Sequence, residues 1–389
     1  VSPSGVSPDE APLQPLKNVP LAPYCTMGVG GPARFFVEAA DEATVVSALR
    51  WAQERGVDLH VLGGGSNLVV ADAGVDGLVV RVALRGVSSR EVRGGVEVTA
   101  AAGEPWDALV AHAVERGWAG LECLSGIPGL AGATPIQNVG AYGQEVSQTV
   151  TAVRVLDRRT GDFVALAPQD CRFGYRTSRF KSGEPDRFIV LGVTYRLFPG
   201  GAPAVRYADV ESDLARRGIA RPSLADVRAS VLAIRRSKSM VLDPDDPNRR
   251  SCGSFFLNPV VDGATFERVS LAAGDPAMPR WREADGRVKL SAAWLIEHAG
   301  LRRGDGPGPV ALSTRHSLAI VCREGARAVD VAAFAAEIRA RVEARFSVRL
   351  VPEPVFWGVG GSGLTIRHSS DRGPFGMASP CPRDPNVGL

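Results

Sequence analysis

An arginine, a serine and a glutamate sit in three distant segments of this chain: Arg176 in Gly174-Tyr175-Arg176-Thr177-Ser178, Ser254 in Gly253-Ser254-Phe255-Phe256-Leu257-Asn258-Pro259, and Glu353 in Pro352-Glu353-Pro354. Brought together, they would form one active site able to hold negative charge. The guanidinium presents a fixed fork of donors to negative charge. The carboxyl stabilises the same charge if burial or a neighbour retains its proton. Singly, each also has a structural use: Ser254 can satisfy a backbone group, Arg176 can pair with a surface carboxylate, and Glu353 can be solvated.

Glycine supplies the second chemical signal. Gly63-Gly64-Gly65-Ser66-Asn67 follows the alternating Val57, Leu59 and Val61 and precedes Leu68 to Val70. In this strand, loop, strand arrangement, positive φ and the missing Cβ let backbone N–H groups approach a diphosphate. A triple glycine is also an ordinary turn. Leu124 to Gly143 adds a second wall, with Gly126, Gly129, Gly132, Gly140 and Gly143 among Pro128 and Pro135. So long an irregular stretch implies a ligand that ties it down, and two such walls framed by strands suit a dinucleotide. Gly28-Val29-Gly30-Gly31-Pro32-Ala33 matches the fingerprint Gly-x-Gly-x-x-Ala in letters only. That motif needs an apolar strand before it and a helix after it, whereas Thr26-Met27 precedes and the strand-like Arg34-Phe35-Phe36-Val37-Glu38 follows.

These groups need a scaffold, and 389 residues with 45% hydrophobic and 22% charged content provide two or three domains with sizeable cores. The 45 basic and 42 acidic residues leave a net charge of +3 without a long single-sign block, so no nucleic-acid partner is expected. Cys25, Cys123, Cys171, Cys252, Cys322 and Cys381 form no Cys-x-x-Cys pair and have no histidine spacing suited to zinc. Reduced thiols and no metal follow as expectations. The stretch Val1 to Leu16 lacks the basic start and apolar run of a secretory signal, and no window reaches the roughly 18 apolar residues of a membrane span. The expectation is a cytoplasmic monomer without membrane insertion.

The predicted elements make an α+β chain in three parts, with residues 1–17 and 359–389 as mobile tails. Residues 18–82 carry a strand at Arg34 to Ala40, a helix capped by Asp41 and stopped by Gly56, and a strand at Leu78 to Val82. Residues 83–240 carry strands at Val96 to Ala100, Val153 to Asp157, Phe163 to Ala167 and Phe188 to Leu197. They also carry a helix at Glu104 to Arg116 and another opened by a Ser223/Asp226 capping box. Residues 241–346 mix strands at Phe255 to Leu257 and Leu318 to Val321 with helices at Ala292 to Ala299 and Val331 to Arg345. Residues 347–358 return Glu353 to the site.

In one order over residues 18–358 stand Thr26 to Pro32, Leu62 to Leu68, Ser125-Gly126-Ile127-Pro128-Gly129, Pro135-Ile136-Gln137-Asn138-Val139-Gly140-Ala141-Tyr142-Gly143, Tyr175-Arg176-x-Ser178, Gly253 to Pro259 and Pro352-Glu353. In this set the chain resembles the UDP-N-acetylenolpyruvoylglucosamine reductases. The resemblance implies a PCMH-type flavoprotein, with noncovalent FAD between two subdomains, 18–82 and 83–240, and a substrate-binding domain, 241–346, that closes over a sugar nucleotide. NADPH would reduce the flavin. Hydride would pass from flavin N5 to C3 of the enolpyruvyl ether of UDP-N-acetylglucosamine and a proton from Ser254 to C2, giving UDP-N-acetylmuramate for peptidoglycan and the cell wall. Arg176 and Glu353 would stabilise the charge between these steps.

The implied FAD contacts are Leu62, Gly63, Gly64, Gly65, Ser66, Asn67, Leu68, Ser125, Gly126, Pro128, Gly129, Gly132, Ala133, Gln137, Asn138, Gly140, Ala141 and Tyr142. The implied substrate contacts are Tyr175, Tyr207 as the clamping tyrosine of the family's first subtype, Lys238 on the diphosphate, Asn258 near the uridine nucleotide, and His298. Packing or solvation is the alternative for Tyr175, Tyr207, Lys238 and His298. Cys25, Cys252 and Leu130-Ala131 depart from the family's common residues, and Gly274 to Arg287 lies outside the resemblance. His60 precedes the glycine loop, where some flavoproteins attach FAD; no covalent bond is expected here. Two other functions remain in view: an FAD-linked sugar or alcohol oxidase or dehydrogenase, which would not need Ser254, and a sugar-nucleotide sensor.

Overall fold

The computed structural model describes residues 13–358. Its first strand lies partly in a segment expected to be a tail. Leu16–Pro20 (β1) pairs antiparallel with Pro32–Ala39 (β2), Leu16 opposite Phe36 and Val19 opposite Ala33. The tail therefore ends earlier than its composition implied, because ladder hydrogen bonds to a sheet edge can order a mostly exposed strand. Residues 1–12 and 359–389 of the two expected tails lie outside the described residues.

From β2 the chain enters α1 (Glu42–Arg55), where the Asp41 carboxylate accepts from the Thr44 N–H at 2.7 Å and Gly56, at φ 60°, ends the helix. Val45, Ala48, Leu49 and Ala52 form its buried stripe and join one core with Val37, Leu78 and Val80. Leu59–Leu62 (β3) and Val75–Val82 (β5) complete a sheet in the order β1-β2-β5-β3, with β2 and β3 both parallel to β5. Leu68–Val70 (β4), which follows the glycine loop, leaves that sheet. It pairs parallel with the return strand Val355–Trp357, Leu68 opposite Val355 and Val70 opposite Trp357.

A second sheet takes the path Phe163–Leu166, Val150–Asp157, Phe188–Pro199, Gly95–Ala101, Val87–Val92. The last of these strands was not anticipated; Val-Ser-Ser-Arg-Glu-Val is exposed along nearly its whole length and lacks an apolar alternation. The helix Trp106–Glu115 buries Trp106, Leu109, Val110 and Ala113. The Trp106 indole N–H donates to Leu124 O at 3.1 Å and its backbone N–H to Gly129 O at 3.0 Å, which fastens the start of the glycine-rich wall to this domain. The helices Ala208–Arg216 and Leu224–Ser237 close a small core of Cys123, Val210, Leu214, Val227 and Val231.

The third part packs Phe255, Leu290, Leu295, Ile296, Leu312, Ile320, Phe334, Ile338 and Val342 into a second core, which Met27, Val29 and Val69 of the first part join. Phe255 to Leu257 is extended but forms no regular strand, which corrects the sequence reading. Its partners lie on two sides: Phe255 N–H donates to Leu318 O at 2.8 Å, and Leu257 N–H to Val351 O at 2.9 Å. A single bridge joins Phe256 to Pro352. This part is also docked on the first. The Asp72 carboxylate, just past β4, accepts from Ala328 N–H at 2.8 Å and Val329 N–H at 3.0 Å, capping the helix Ala328–Phe346. Asp72→Ala is expected to cost about 0.5–2 kcal/mol, the usual worth of such a cap, read as a lower thermal midpoint. An unchanged midpoint would show that the contact adds nothing.

Among the described residues no helix is long and apolar enough to cross a membrane, and no group of three or more His, Cys, Asp or Glu is placed to hold a metal. Five described cysteines are buried and unpaired, and Cys381 lies outside the described residues.

Candidate active site

The three parts surround an open cleft of about 2620 Å³, well above the roughly 300–1000 Å³ of a drug-sized pocket. That volume leaves room for a dinucleotide and a second ligand. Its floor is the glycine loop. At Gly65, with φ 59°, a Cβ would stand 1.9 Å from Tyr24 O, and at Gly64 it would stand 3.0 Å from the Cα of Gly129. The two glycine-rich walls thus meet backbone to backbone, and Ser66 Oγ donates across the seam to Pro128 O at 3.2 Å. A cradle that excludes Cβ atoms and borders a large cleft fits the phosphate-rich middle of FAD.

Leu62, Gly63, Gly64, Gly65, Ser66, Asn67, Leu68, Pro128, Gly132, Ala133, Gln137, Gly140, Ala141 and Tyr142 line the cleft. Ser125, Gly126, Gly129 and Asn138 are not among its lining residues; their side chains or backbone brace the wall from behind. Ser125 Oγ donates to Glu122 O at 2.6 Å and Gly126 N–H to Asp107 Oδ1 at 2.6 Å. Buried Asn138 donates to Glu145 Oε2 at 2.8 Å and to Gly174 O at 3.1 Å. His60 lines the cleft with its ring 5.1 Å from that of Trp357.

Arg176, Ser254 and Glu353 all face this cleft. Arg176 stands at φ 52°, a left-handed conformation that its fork of contacts holds in place. Nη2 donates to Gly140 O at 2.5 Å, Nη1 lies 3.5 Å from Asn138 O, and Nε lies 3.5 Å from Glu353 Oε1. Glu353 N–H donates to Phe255 O at 2.9 Å, which sets the glutamate beside the segment that carries Ser254. The Glu353 side chain is 13% exposed. Burial pushes its carboxyl above the ordinary glutamate range despite the opposing pull of Arg176, Lys181 and the Gln137 hydrogen bond. A retained proton, a condition for its role at the sequence level, is thereby favoured.

Toward the outer cleft, Tyr142 and Tyr207 meet edge to face with centroids 5.4 Å apart. Lys238 Nζ donates to Asp209 Oδ2 at 2.8 Å. Burial opposes the Lys238 charge, but the Asp209 hydrogen bond and charge outweigh it and raise the ammonium above its ordinary value. Asn258 lines the cleft while its Oδ1 accepts from Ala292 N–H at 2.9 Å. His298 is exposed on the helix Ala292–His298 and is not among the lining residues. It stacks on Trp294, ring centroids 3.6 Å apart, and so turns to its own helix instead of the cleft.

Several lining groups went unnoticed in the sequence. Lys181 and Arg235 enter the cleft, as do Trp281, Glu283, Lys289 and His316. Trp281 and Glu283 belong to the stretch left without a role, on a strand, Arg280–Arg282, and its turn. Lys289 binds Glu283 at 2.8 Å and lies 5.0 Å from the centre of the Tyr175 ring, while Arg176 lies 5.6 Å from the same ring. The basic end of the helix Leu224–Ser237 was a usable signal for Arg235; no comparable pattern marked Trp281. His316 is held down to about 4 by burial and by the charges of Lys238 and Arg303. Cys252, beside Gly253, is pushed well above the ordinary thiol range by burial and is a poor nucleophile.

Comparison with known proteins places these features in a family. A model of the FAD binding domain matches residues 33–167, and a model of the UDP-N-acetylenolpyruvoylglucosamine reductase C-terminal domain matches residues 245–357. The UDP-N-acetylenolpyruvoylglucosamine reductase of Saccharopolyspora erythraea is 50% identical over 86% of this chain and 93% of its own length. That of Thermobifida fusca is 47% identical over 88% and 98%, respectively. Among solved structures, the UDP-N-acetylenolpyruvylglucosamine reductase of Thermus caldophilus superposes with a TM-score of 0.59 at 28% identity, covering 88% of this chain and 98% of that one. With both matched domains meeting at one cleft and near full-length identity to its relatives, the chain belongs to the UDP-N-acetylenolpyruvoylglucosamine reductase family.

Proposed function

We propose that this chain reduces the enolpyruvyl ether of UDP-N-acetylglucosamine to UDP-N-acetylmuramate, a peptidoglycan precursor, and that Arg176, Ser254 and Glu353 carry the chemistry. The observation that supports it most is their convergence: the Arg176 Nε contact with Glu353 Oε1 at 3.5 Å and the Glu353–Phe255 hydrogen bond join three remote segments beside the glycine cradle. Bound FAD supplies hydride, drawn from NADPH, to C3 of the enolpyruvyl group. The residues then govern what happens at C2. The Arg176 fork holds the charge that spreads onto the substrate carboxylate. A protonated Glu353 donates a hydrogen bond to the same region. Ser254 passes its proton to C2, which a weak acid can do because the carbon centre is more basic still.

Tyr207 clamps the substrate as in the family's first subtype; its ring contact with Tyr142 at the cleft rim supports that role. Lys238 takes the diphosphate, exchanging its present partner Asp209 for the nucleotide. Tyr175 and Asn258 line the sugar-nucleotide side, and the FAD contacts are those of the two glycine-rich walls, with residues 18–82 and 83–240 as the FAD-binding subdomains and 241–346 as the substrate domain. The enzyme acts as a cytoplasmic monomer.

Anaerobic stopped-flow on the purified yellow protein tests the activity. NADPH is expected to bleach the flavin and the enolpyruvyl sugar nucleotide to restore its colour; colour that returns only with oxygen would favour an oxidase. Acid or heat is expected to release the flavin from the chain. Flavin that stays with the denatured protein would overturn noncovalent binding.

A further inference from the structure

Two donors meet at Glu353 Oε1: Gln137 Nε2 at 3.2 Å and Arg176 Nε at 3.5 Å. Which end of the Gln137 amide faces Glu353 is decided further out. Gln137 Oε1 lies 3.2 Å from Lys181 Nζ and 3.0 Å from Asn67 Nδ2. An ammonium has donors only, so the Gln137 atom beside it must be the carbonyl oxygen. Asn67 is fixed in the same way, because its Nδ2 also reaches the backbone oxygen of Glu353 at 3.3 Å, and a carbonyl oxygen only accepts. With its oxygen engaged by two donors, the Gln137 amide has only N–H to offer Glu353. Lys181 itself comes from the turn Arg179–Gly183, three residues beyond Ser178, and lines the cleft.

We propose that Lys181 is a positioning residue for Glu353: acting through Gln137, it commits Oε1 to accepting hydrogen bonds and leaves Oε2 as the oxygen that carries the catalytic proton. The inference rests on the function proposed above and adds to it a residue that steers the proton without meeting the reacting atoms. The charged and titratable groups that face Glu353 are Arg176, Lys181, Tyr175 and Cys252. Of these, Arg176 and Lys181 are the cations that favour its ionised form.

Removing the Lys181 ammonium therefore has two consequences of known sign. The carboxyl holds its proton to higher pH, because one opposing cation is gone. The Gln137 amide also loses one of the two donors that keep its oxygen turned away, and with Asn67 as its one remaining anchor it more often turns that oxygen toward Glu353 and draws the proton onto Oε1. A site more fully protonated yet slower is the signature of positioning; a purely electrostatic role would give no such loss.

The test compares Lys181→Met with wild-type holoenzyme. Infrared difference titration follows the C=O band of the protonated carboxyl, assigned by its disappearance in Glu353→Gln. The band is expected to persist to higher pH in Lys181→Met. At the same time kcat is expected to fall by roughly 10²-fold, the low end of what positioned proton transfer contributes, with KM little changed and activity largely restored in Lys181→Arg. An unmoved band, or a raised KM with unchanged kcat, would overturn the proposal. If Lys181→Met does not retain flavin, Gln137→Met tests the same relay with both cations in place, and wild-type kcat there would overturn it. A wild-type enzyme inactive on the enolpyruvyl sugar nucleotide would sink the function itself, whereas an active wild type with unresponsive variants would remove only the role of Lys181.

Discussion

Ser254→Ala is expected to leave a yellow, folded protein that NADPH still bleaches but whose colour returns about 10²–10⁴-fold more slowly with the enolpyruvyl sugar nucleotide, the range for loss of a positioned proton donor. The fold should survive because Phe255 and Phe256, the next two residues, are fully buried and anchor the segment. The backbone bonds of Phe255 with Leu318 and Glu353, and of Leu257 with Val351, do not involve the serine hydroxyl. Bleaching by NADPH tests cofactor retention, and the recolouring step isolates the proton transfer to C2. Recolouring at the wild-type rate would remove Ser254 from the mechanism and reopen the oxidase reading, which has no need of it.

Arg176→Lys separates charge from geometry. Lysine keeps the cation but has no planar fork, and Arg176 uses that fork to reach Gly140 O, Asn138 O and Glu353 at once. The expected loss is about 10²–10³-fold in kcat, comparable to removing one preorganised donor from an oxyanion site. Binding of FAD should persist, because the glycine loop and the wall from Pro128 to Ala133 do not depend on the guanidinium. Activity within a few-fold of wild type would mean that a point charge suffices and that the fork serves only to hold the Gly140 turn.

Local physics made some of the fold readable in the sequence and hid the rest. The helix over Glu42–Arg55 was legible because Asp41 and Gly56 mark its ends and the apolar stripe has a helical period. The capping box of Ser223 and Asp226 is present as expected, with Asp226 N–H donating to Ser223 Oγ at 3.2 Å. The strands Leu16–Pro20 and Val87–Val92 were illegible, since an exposed edge strand needs no apolar pattern and owes its order to a neighbour. Phe255 to Leu257 misled for the opposite reason: its apolar residues serve two separate neighbours instead of a sheet face.

The site divides in the same way. Arg176, Ser254 and Glu353 stood out because each lies in a motif that composition alone would not produce, and the cleft does gather them. The parallel pairing of Val355–Trp357 with Leu68–Val70, which carries Glu353 to the glycine loop, joins segments nearly 290 residues apart and leaves no local trace. Lys181 and Trp281 were missed because a lysine or a tryptophan in a turn-rich stretch reads as surface until its neighbours are known. His298 was over-read: a helix position alone does not fix which way a side chain turns, and here Trp294 captures the ring.

The central claim is that these three groups protonate a carbanion-like centre at C2 after hydride has reached C3. A single turnover of NADPH-reduced holoenzyme with the enolpyruvyl sugar nucleotide in D2O, followed by NMR of the product, tests it directly. The account predicts a lactyl ether that carries solvent deuterium at C2, whatever isotope the flavin delivers to C3. Solvent deuterium at C3 with C2 unlabelled would contradict it.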